Sequence, residues 1–475
     1  MTDTTIDTSN LDRKARMKLP FVDLVARPVA ERLSDFEPAY PYLTEEEARR
    51  AAERCIHCPE APCQVACPVN NDISKALWLV EAGDFVGAAR VYRQTSSLPE
   101  ICGLVCPHES LCQGSCVRNK RGEPVLTGAL EAFVTAYERA HAQVEIPKGP
   151  ATRKRVAVVG TGPAGLACAE QLIPWGYEVT FFDALPYPGG LLTYGIPNFK
   201  LPKRVVDARL DDFHRAGARF ETSTRIGKDR TVDGLLADGF DAVFLGVGSG
   251  IDSPMDVPGS DLPGVYQATE FLVRGNVDAS RLPPGMPGRP DIGRRVAVVG
   301  GGDTASDCLR TALRLGAEEV TCLYRRTEAE MPGGKKDREL ARQEGAKYRF
   351  LTQPVRFIPG GEGRVSAVEC LQCELGEPDA SGRRRPVPIE GSNFTVPAET
   401  VVLALGYWPD PLLGETTPGL ETRKYGLIVA DAETGTTSRK EVFAGGDAVT
   451  GPDLVVTAMR AGRRAAASIH AYLTR

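Results

Sequence analysis

One structural unit occurs twice in this sequence, and it constrains the fold more than any other feature. Residues 155–165 read RVAVVGTGPAG, and residues 295–305 read RVAVVGGGDTA. In each copy a short apolar run predicts a buried parallel strand, and a helix is predicted to follow the glycine-rich turn. The turn positions are Gly160, Gly162 and Gly165 in the first copy, and Gly300, Gly302 and Ala305 in the second. This pattern is typical of a Rossmann unit, in which backbone approaches a pyrophosphate at the helix N-terminus.

The two copies differ where their second strand ends, and the difference predicts different ligands. In the first copy EVTFFD ends at Asp183, about 20 residues after the turn, where a carboxylate binds a ribose hydroxyl. In the second copy EVTCLYRR ends at Arg325 and Arg326, and arginine at this place accommodates a 2′-phosphate. The first unit is therefore expected to bind FAD. The second, with Asp303 and Thr304 in its turn, is expected to bind NADPH; the alternative for the arginines is a solvated charged turn.

Eight cysteines in the first quarter of the chain predict metal chemistry. They are Cys55, Cys58, Cys63, Cys67, Cys102, Cys106, Cys112 and Cys116. The spacing reads C-x2-C-x4-C-x3-C and then C-x3-C-x5-C-x3-C, with a proline directly after the fourth and the sixth cysteine. Thiolates in tight loops followed by proline are typical of cubane iron–sulfur clusters. Disulfides are typical of small secreted domains, and this chain is long. Structural zinc sites are typically formed by two C-x2-C pairs, and these eight cysteines contain only one, Cys55 and Cys58.

Composition and charge exclude several functional classes. The chain has 475 residues, of which 42% are hydrophobic and 25% charged, an ordinary globular balance. A net charge of −5 gives no basic footprint for nucleic acid. The sequence has no run of about 18 apolar residues, so no transmembrane helix is expected. Residues 1–20 lack the apolar core of a secretory signal, so we expect a reducing, cytoplasmic location.

These features together predict an α/β fold of three parts. Residues 1–150 are expected to form a helical iron–sulfur domain. Residues 151–265 and 405–475 are expected to form an FAD-binding domain, and residues 266–404 an NADPH-binding domain, both Rossmann-type and glutathione-reductase-like. A separate C-x2-C pair at Cys370 and Cys373 lies in a predicted strand and is interpreted as structural.

The order of these parts resembles the small (beta) subunit of NADPH-dependent glutamate synthase over nearly the whole chain. The specific stretches include CPVNNDIS, SLPEICGLVCPHESLCQGSCV, GGLLTYGIPNFKLPK and FAGGDAVTGPDLVVTA. The resemblance implies that NADPH is oxidised at FAD and that electrons pass through two [4Fe-4S] clusters to a large FMN-containing subunit, which makes glutamate. The N-terminal half of dihydropyrimidine dehydrogenase and the larger subunit of NADH-dependent ferredoxin:NADP oxidoreductase are similar, so the same module serving those partners is the alternative.

The resemblance also implies roles for individual residues. One cluster would be ligated by Cys55, Cys58, Cys63 and Cys116. The other would be ligated by Cys67, Cys106, Cys112 and the carboxylate of Glu131, which leaves Cys102 as a spare thiol. The segment containing Gly446 and Asp447 resembles the loop that closes the FAD site in two-dinucleotide flavoproteins, and Gly190 is expected to approach the flavin. No side chain is predicted as a general acid or base, because the cofactors supply the chemistry.

An alternative from a different class is an electron-transfer or scaffold protein that binds nucleotides without turning them over. Such a protein would leave two complete nucleotide units and the predicted clusters without a use. Bleaching of a bound flavin by NADPH is the observation that excludes it.

Overall fold

The fold is described from a computed structural model for residues 11–380 and 382–475. Its N-terminal part is helical, with α1 Arg13–Arg16, α2 Val29–Ser34, α3 Glu45–Glu53, α4 Pro62–Val65, α5 Ile73–Ala82, α6 Phe85–Arg93, α7 Pro99–Val105 and α8 Thr127–His141. The turn between α5 and α6 shows how sequence sets these boundaries. Gly83 ends α5 in the left-handed conformation, and Asp84 caps α6 by accepting a hydrogen bond from the Gly87 amide.

The rest of the chain alternates between strands and helices. In chain order these elements are β1 Arg155–Val159, α9 Pro163–Leu172, β2 Glu178–Phe182, α10 Leu191–Tyr194, α11 Lys203–Arg215, β3 Arg219–Glu221, α12 Val232–Ala237, β4 Ala242–Leu245, β5 Ile251–Asp252, β6 Val265–Gln267, α13 Ala268–Asn276, β7 Arg295–Val299, α14 Asp303–Arg314, β8 Glu319–Leu323, α15 Lys335–Gln343, β9 Lys347–Arg349, β10 Thr352–Pro359, β11 Val365–Pro378, β12 Arg384–Pro388, β13 Phe394–Pro397, β14 Thr400–Leu403, β15 Tyr407–Trp408, α16 Leu412–Thr416, β16 Val442–Ala444, α17 Asp447–Thr450 and α18 Val455–Leu473.

Two parallel five-stranded sheets carry the two repeated units. The first has the order β16-β4-β1-β2-β3, and the second has the order β6-β14-β7-β8-β9. Strand β1 lies between β2 and β4, and strand β7 lies between β8 and β14. The repeated strands therefore hold the same central place in their sheets. An antiparallel sheet of β10 to β13 extends the second unit. The predicted α/β class, with two Rossmann-type sheets after a helical part, is confirmed.

The first sheet is built in two passes of the chain. Strands β1 to β4 come before the second sheet, and the edge strand β16 pairs with β4 only after the second sheet is complete. Helix α18 then packs along α9, so closely that a Cβ on Gly462 would lie 2.0 Å from the Ala164 carbonyl oxygen. The first sheet therefore takes strands from before and after the second sheet in the sequence. The boundaries of the predicted domains stay a prediction.

Hydrophobic packing joins the helical part to the first sheet. Leu98, the N-cap residue of α7, and Ile101 of α7 share a core with Val456 and Met459 of α18. The Ser97 amide lies 3.1 Å from the Met459 sulfur. A separate core is formed by α3, α5, α6 and α8. In the described ranges, no helix is both long enough and apolar enough to cross a membrane.

Candidate functional site

The first glycine of each repeated turn has the same structural cause. Gly160 and Gly300 follow β1 and β7 with φ of +97° and +142°. A Cβ on these residues would lie 2.3 Å from the carbonyl oxygen of Gly246 and 2.1 Å from that of Ala404. The neighbouring strands therefore leave no room for a side chain, and the chain can turn sharply only with glycine.

The middle glycine of each turn faces open space instead. Gly162 and Gly302 are the N-cap residues of α9 and α14, and a Cβ on either would meet no atom within 4 Å. The first amide groups of a helix have no partner within the helix, so a phosphate in that space can accept hydrogen bonds from them. The two turns therefore fit the pyrophosphate of a dinucleotide.

Asp183 is held in place at the edge of the first turn. Its carboxylate accepts hydrogen bonds from the Thr161 amide at 2.9 Å, from the Thr161 hydroxyl, and from the Leu185 amide at 2.9 Å. Burial raises the pKa of Asp183, and these hydrogen bonds oppose the rise. The Gly189 amide donates to the same hydroxyl at 2.8 Å, and a Cβ on Gly190 would lie 3.2 Å from Gly162 Cα. Thr161 thus links Asp183 to Gly189, at the start of the loop that lies over the turn.

The closing segment lies against the same turn from the other side. Gly446 has φ +72°, and a Cβ on it would lie 3.0 Å from the Ala164 side chain at the start of α9. Asp447 begins α17, and burial raises its pKa to about 7 against a backbone hydrogen bond from Asp453. The structure therefore brings together the turn, Asp183, Gly190, Gly446 and Asp447 around the N-terminus of α9.

The second turn is covered by residues 331–334. The Gly333 amide donates to the Gly301 carbonyl at 3.3 Å, and the Gly334 amide donates to Asp303 Oδ1 at 2.8 Å. Thr304, in the first turn of α14, is half-buried. Ala305 is completely buried, which is consistent with its place at the helix–strand contact.

The two arginines after β8 have different environments. Arg326 is buried, and it donates from Nη2 to Asp379 Oδ2 at 2.7 Å and from Nε to the Arg384 carbonyl at 2.7 Å. Arg325 is exposed and forms no hydrogen bond or ion pair with any residue in 11–380 or 382–475. Only Arg325 therefore has a guanidinium group free to meet a phosphate.

The first set of thiols comprises Cys55, Cys58, Cys63 and Cys116, and these four residues line one cavity. Burial is the main reason that the pKa of the Cys55 thiol rises to about 12, and the other three thiols raise it further. Burial likewise raises the pKa of Cys63 to about 11. Residues far apart in the sequence therefore line the same cavity, and their role as one ligand set stays a prediction.

The second set of thiols comprises Cys67, Cys102, Cys106 and Cys112, with Glu131 among them. The neighbouring Cys102 side chain and burial both raise the pKa of the Cys106 thiol. Burial raises the pKa of Glu131 to about 8. Asn71 Nδ2 donates to Glu131 Oε1 at 3.2 Å. The structure thus places both Cys102 and Glu131 beside the other three thiols.

Other cysteines lie apart from these two sets. Cys370 and Cys373 are three residues apart in β11, which directs their side chains to opposite faces. Cys370 belongs to a hydrophobic core with Phe357 and Val368, in agreement with its structural interpretation. Among the described residues, no group of three or more His, Cys, Asp or Glu side chains is arranged to hold a single metal ion.

Sequence reasoning missed two residues that organise the site. Thr161 occupies a variable position of the turn, and nothing in the motif indicates its bridge between Asp183 and Gly189. Lys200 forms ion pairs with Asp307 Oδ1 at 3.1 Å and Asp337 Oδ2 at 3.0 Å, which join the two nucleotide units. A lysine within the loop-forming stretch PNFKLPK was the available signal.

Comparison with known proteins gives the class of this protein. Residues 154–462 match the family described as pyridine nucleotide-disulphide oxidoreductase, and residues 32–143 match dihydropyrimidine dehydrogenase domain II, 4Fe-4S cluster. The structure of FprA from Mycobacterium tuberculosis in complex with NADPH superposes with a TM-score of 0.56 at 22% identity, covering 68% of this chain and 84% of that one, which supports the fold. The chain is an NADPH-dependent flavin oxidoreductase with an iron–sulfur domain, and the predicted FAD, NADPH and 4Fe-4S cofactors are confirmed at this level.

Individual relatives narrow the class to a family. The chain is 41% identical over 452 residues to the glutamate synthase [NADPH] small chain of Halomonas elongata, covering 94% of this chain and 95% of that protein. It is 40% identical over 460 residues to the small chain of Escherichia coli, covering 95% and 97%. It is 36% identical over 471 residues to the NADPH-Fe(3+) oxidoreductase subunit beta of Geobacter sulfurreducens, covering 94% and 69%. The chain belongs to the family of glutamate synthase small chains and related FAD and iron–sulfur NADPH oxidoreductases.

Proposed function

We propose that this chain takes electrons from NADPH at FAD and delivers them through two [4Fe-4S] clusters to an acceptor on another polypeptide. The observation that carries the proposal is the packing of α7, which bears Cys102, into the core of the first nucleotide unit beside Val456 and Met459 of α18. This contact puts one set of thiols next to the unit proposed to hold FAD. A flavin supplies two-electron acceptance and single-electron release, and iron–sulfur clusters supply single-electron transfer.

In the first unit, the chain's own groups fit the adenosine, pyrophosphate and ribityl parts of FAD. Gly160, Gly162 and Gly165 bring the backbone to the pyrophosphate. Asp183, fixed by Thr161, accepts hydrogen bonds from ribose hydroxyls, and Asp447 binds the ribityl chain. The N-terminus of α18 follows the closing loop, and the positive end of its dipole favours negative charge on a reduced flavin.

In the second unit, Gly300, Gly302 and Ala305 play the corresponding part for NADPH, with Asp303 and Thr304 opening the helix. The two predicted phosphate-binding arginines divide the work. Arg325 is exposed and meets the 2′-phosphate, while Arg326 holds the strand end by its ion pair with Asp379. This division refines the prediction that both arginines contact the phosphate.

For the clusters, we propose Cys55, Cys58, Cys63 and Cys116 as one ligand set. The second set is Cys67, Cys106 and Cys112 with Glu131, while Cys102 stays a neighbouring thiol. Glu131 is oriented by Asn71, whose own amide oxygen accepts a hydrogen bond from Thr95 at 2.6 Å. Such outer partners fix the direction of a ligand, and they are the observation that favours Glu131 over Cys102.

The positions of the two sets suggest an order of electron transfer. The second set contacts the core of the FAD unit through Cys102 and Cys106, whereas Cys55, Cys63 and Cys116 pack on the separate helical core. Val65 and Trp78, on the helices beside the first set, are exposed by 80% and 48%. Electrons therefore leave from the first set, toward a partner that covers this side.

We propose a large FMN-containing glutamate synthase subunit as that partner, in the cytoplasm, where the complex would reduce 2-oxoglutarate with glutamine-derived ammonia. Relatives named small chains of this enzyme match along almost their whole length. A second candidate partner is a different electron acceptor. Two relatives are named for other reactions, as an NADPH-Fe(3+) oxidoreductase subunit beta and an NADP(+)-dependent formate dehydrogenase subunit beta, and the chain spans only 69% and 60% of them.

Two measurements test the proposal. Anaerobic addition of NADPH to the purified, flavin-loaded chain should bleach the flavin absorbance and then produce the electron paramagnetic resonance signals of reduced clusters; a flavin that stays oxidised contradicts electron input. Affinity capture from the native extract without oxygen should then bring down a large chain with a glutaminase domain. Capture of a different redox partner leaves electron input intact and refutes the glutamate assignment.

A further inference from the structure

One loop of the first nucleotide unit makes several contacts with the second unit. We call residues 189–202, between β2 and α11, the coupling loop. At its start the Gly189 amide bonds to Thr161, which itself holds Asp183. At its end the Lys203 ammonium donates to the backbone carbonyls of Leu192, at 2.8 Å, and of Ile196. The coupling loop is therefore fixed to the first unit at one end and closed around an ammonium group at the other.

The middle of the coupling loop is anchored on the second unit. The Tyr194 hydroxyl donates to the Arg281 carbonyl at 2.8 Å, and Asn198 Nδ2 donates to the Asn276 carbonyl at 3.3 Å. The Phe199 ring packs against two guanidinium groups of α14, those of Arg310 and Arg314, whose carbons are 4.4 Å and 4.3 Å from its centroid. These contacts are neutral hydrogen bonds and ring contacts, so they fix position less strongly than a charged pair does.

A bidentate ion pair between Asp207 of α11 and Arg281 also joins the two units at 2.9 Å, with side chains 28% and 24% exposed. Lys200 supplies the charged anchor of the coupling loop itself. It contacts Asp307 of α14 and Asp337 of α15, and its side chain is 15% exposed. Burial alone would lower the pKa of Lys200, but the two carboxylates outweigh burial and raise it, so the ammonium stays charged. Helix α14 begins at the Gly302 turn. Lys200 thus connects the loop over the first turn to the helix that starts at the second.

We propose that Lys200 is a positioning residue for hydride transfer, because its two ion pairs, which are less exposed than that of Asp207 with Arg281, hold the second unit in orientation relative to the first. The inference rests on the proposed function, in which a hydride passes from nicotinamide to flavin (NADPH + FAD → NADP⁺ + FADH⁻). A displacement of about 1 Å between reacting groups can lower a rate by roughly a hundredfold. Neither turn contains Lys200, so its loss should leave both binding sites assembled.

The test is stopped-flow reduction of the flavin in Lys200→Met at saturating NADPH, without oxygen. The limiting rate should fall by about tenfold or more, while the dissociation constant for NADPH changes by less than about threefold. Flavin content and the rate of reduction by dithionite should stay as in the wild type. Lys200→Arg should recover part of the rate because it keeps the charge. Lys347→Met is the matched control. Its 3.0 Å ion pair with Glu319 lies wholly within the second unit, and the side chains of Lys347 and Glu319 are 65% and 46% exposed.

Removing Lys200 alone leaves Asp307 buried without its counter-charge, so the double variant K200M/D307N serves as a second reading. Because both substitutions break the same ion pair, the double variant should be no slower than Lys200→Met. A wild-type limiting rate in flavin-loaded K200M and K200M/D307N overturns the positioning role. A wild-type protein whose flavin is not bleached by NADPH instead refutes the proposed function, and the two failures are thereby distinguished.

Discussion

Replacing Glu344 by glutamine should destabilise the second nucleotide unit, because this carboxylate forms ion pairs with three buried arginines. Arg310 donates to it at 2.9 and 3.0 Å, Arg314 at 2.7 and 3.1 Å, and Arg32 at 3.2 Å. The side chain of Glu344 is 0% exposed, and those of the arginines are 0–2% exposed. Arg32 belongs to α2, so the same carboxylate also ties the helical part to the second unit.

The expected magnitude follows from the charges left behind. Glutamine keeps the shape but removes the negative charge, and breaking a buried ion pair from one side costs about 3–5 kcal/mol. For a cooperative unit of about 150–250 residues, each kcal/mol lowers the melting temperature by about 2–4 °C, so a fall of about 6–20 °C is expected. Thermal unfolding followed by circular dichroism and by release of flavin fluorescence measures it.

Glu318→Gln is the matched control. Arg294 contacts Glu318 with two hydrogen bonds of 2.7 and 2.6 Å, but both side chains are more than half exposed. Its melting curve should overlay that of the wild type, because exposed ion pairs are screened by solvent. Equal melting of Glu344→Gln and Glu318→Gln would refute the reasoning that burial gives this carboxylate its importance.

The pH dependence gives an independent check. Burial would raise the pKa of Glu344, but hydrogen bonds from Arg314 and Arg310 outweigh it and keep the pKa below the ordinary 4.5. A carboxyl with a lowered pKa in the folded state stabilises that state above its unfolded-state pKa, and this stabilisation is lost as pH falls through the folded-state value. The difference between wild type and Glu344→Gln should be constant near neutrality and shrink in acid.

Three further predictions concern the cofactor sites. Gly162→Ala should fold normally but retain less FAD, because its Cβ enters the open space proposed for the pyrophosphate. Gly165→Ala should fail to fold, because its Cβ would lie 2.0 Å from a carbonyl oxygen. Flavin absorbance and circular dichroism separate the two outcomes. Arg325→Ala should raise KM for NADPH far more than for NADH, and Arg326→Ala should mainly lower thermal stability; an equal rise in both KM values for Arg325→Ala contradicts its phosphate role. Glu131→Ala should change the midpoint potential or occupancy of one cluster and leave the other unchanged, as read by redox titration with electron paramagnetic resonance; two unaltered signals exclude Glu131 as a ligand.

The features that sequence predicted well are those encoded by neighbouring residues. The turns at Gly160 and Gly300 could be predicted because strand, glycines and helix follow one another within a few positions. The separate tasks of Arg325 and Arg326 could not, because Asp379 is 53 residues away and nothing local indicates which arginine it pairs with. The anchoring by Lys200 could not be predicted either, because the stretch PNFKLPK shows the lysine but both of its partners lie in another unit.

The two-pass construction of the first sheet has a consequence for synthesis. The second sheet has all its strands once residue 403 has emerged, but the first sheet must wait for β16 and for α18, which completes the core shared with α7. Since chains fold from the N-terminus as they are made, the unit proposed to bind NADPH should mature while the unit proposed to bind FAD is still open. The sites proposed for FAD and for the neighbouring cluster are then among the last to be enclosed. A chain stalled before residue 442 would expose an unfinished sheet edge to aggregation.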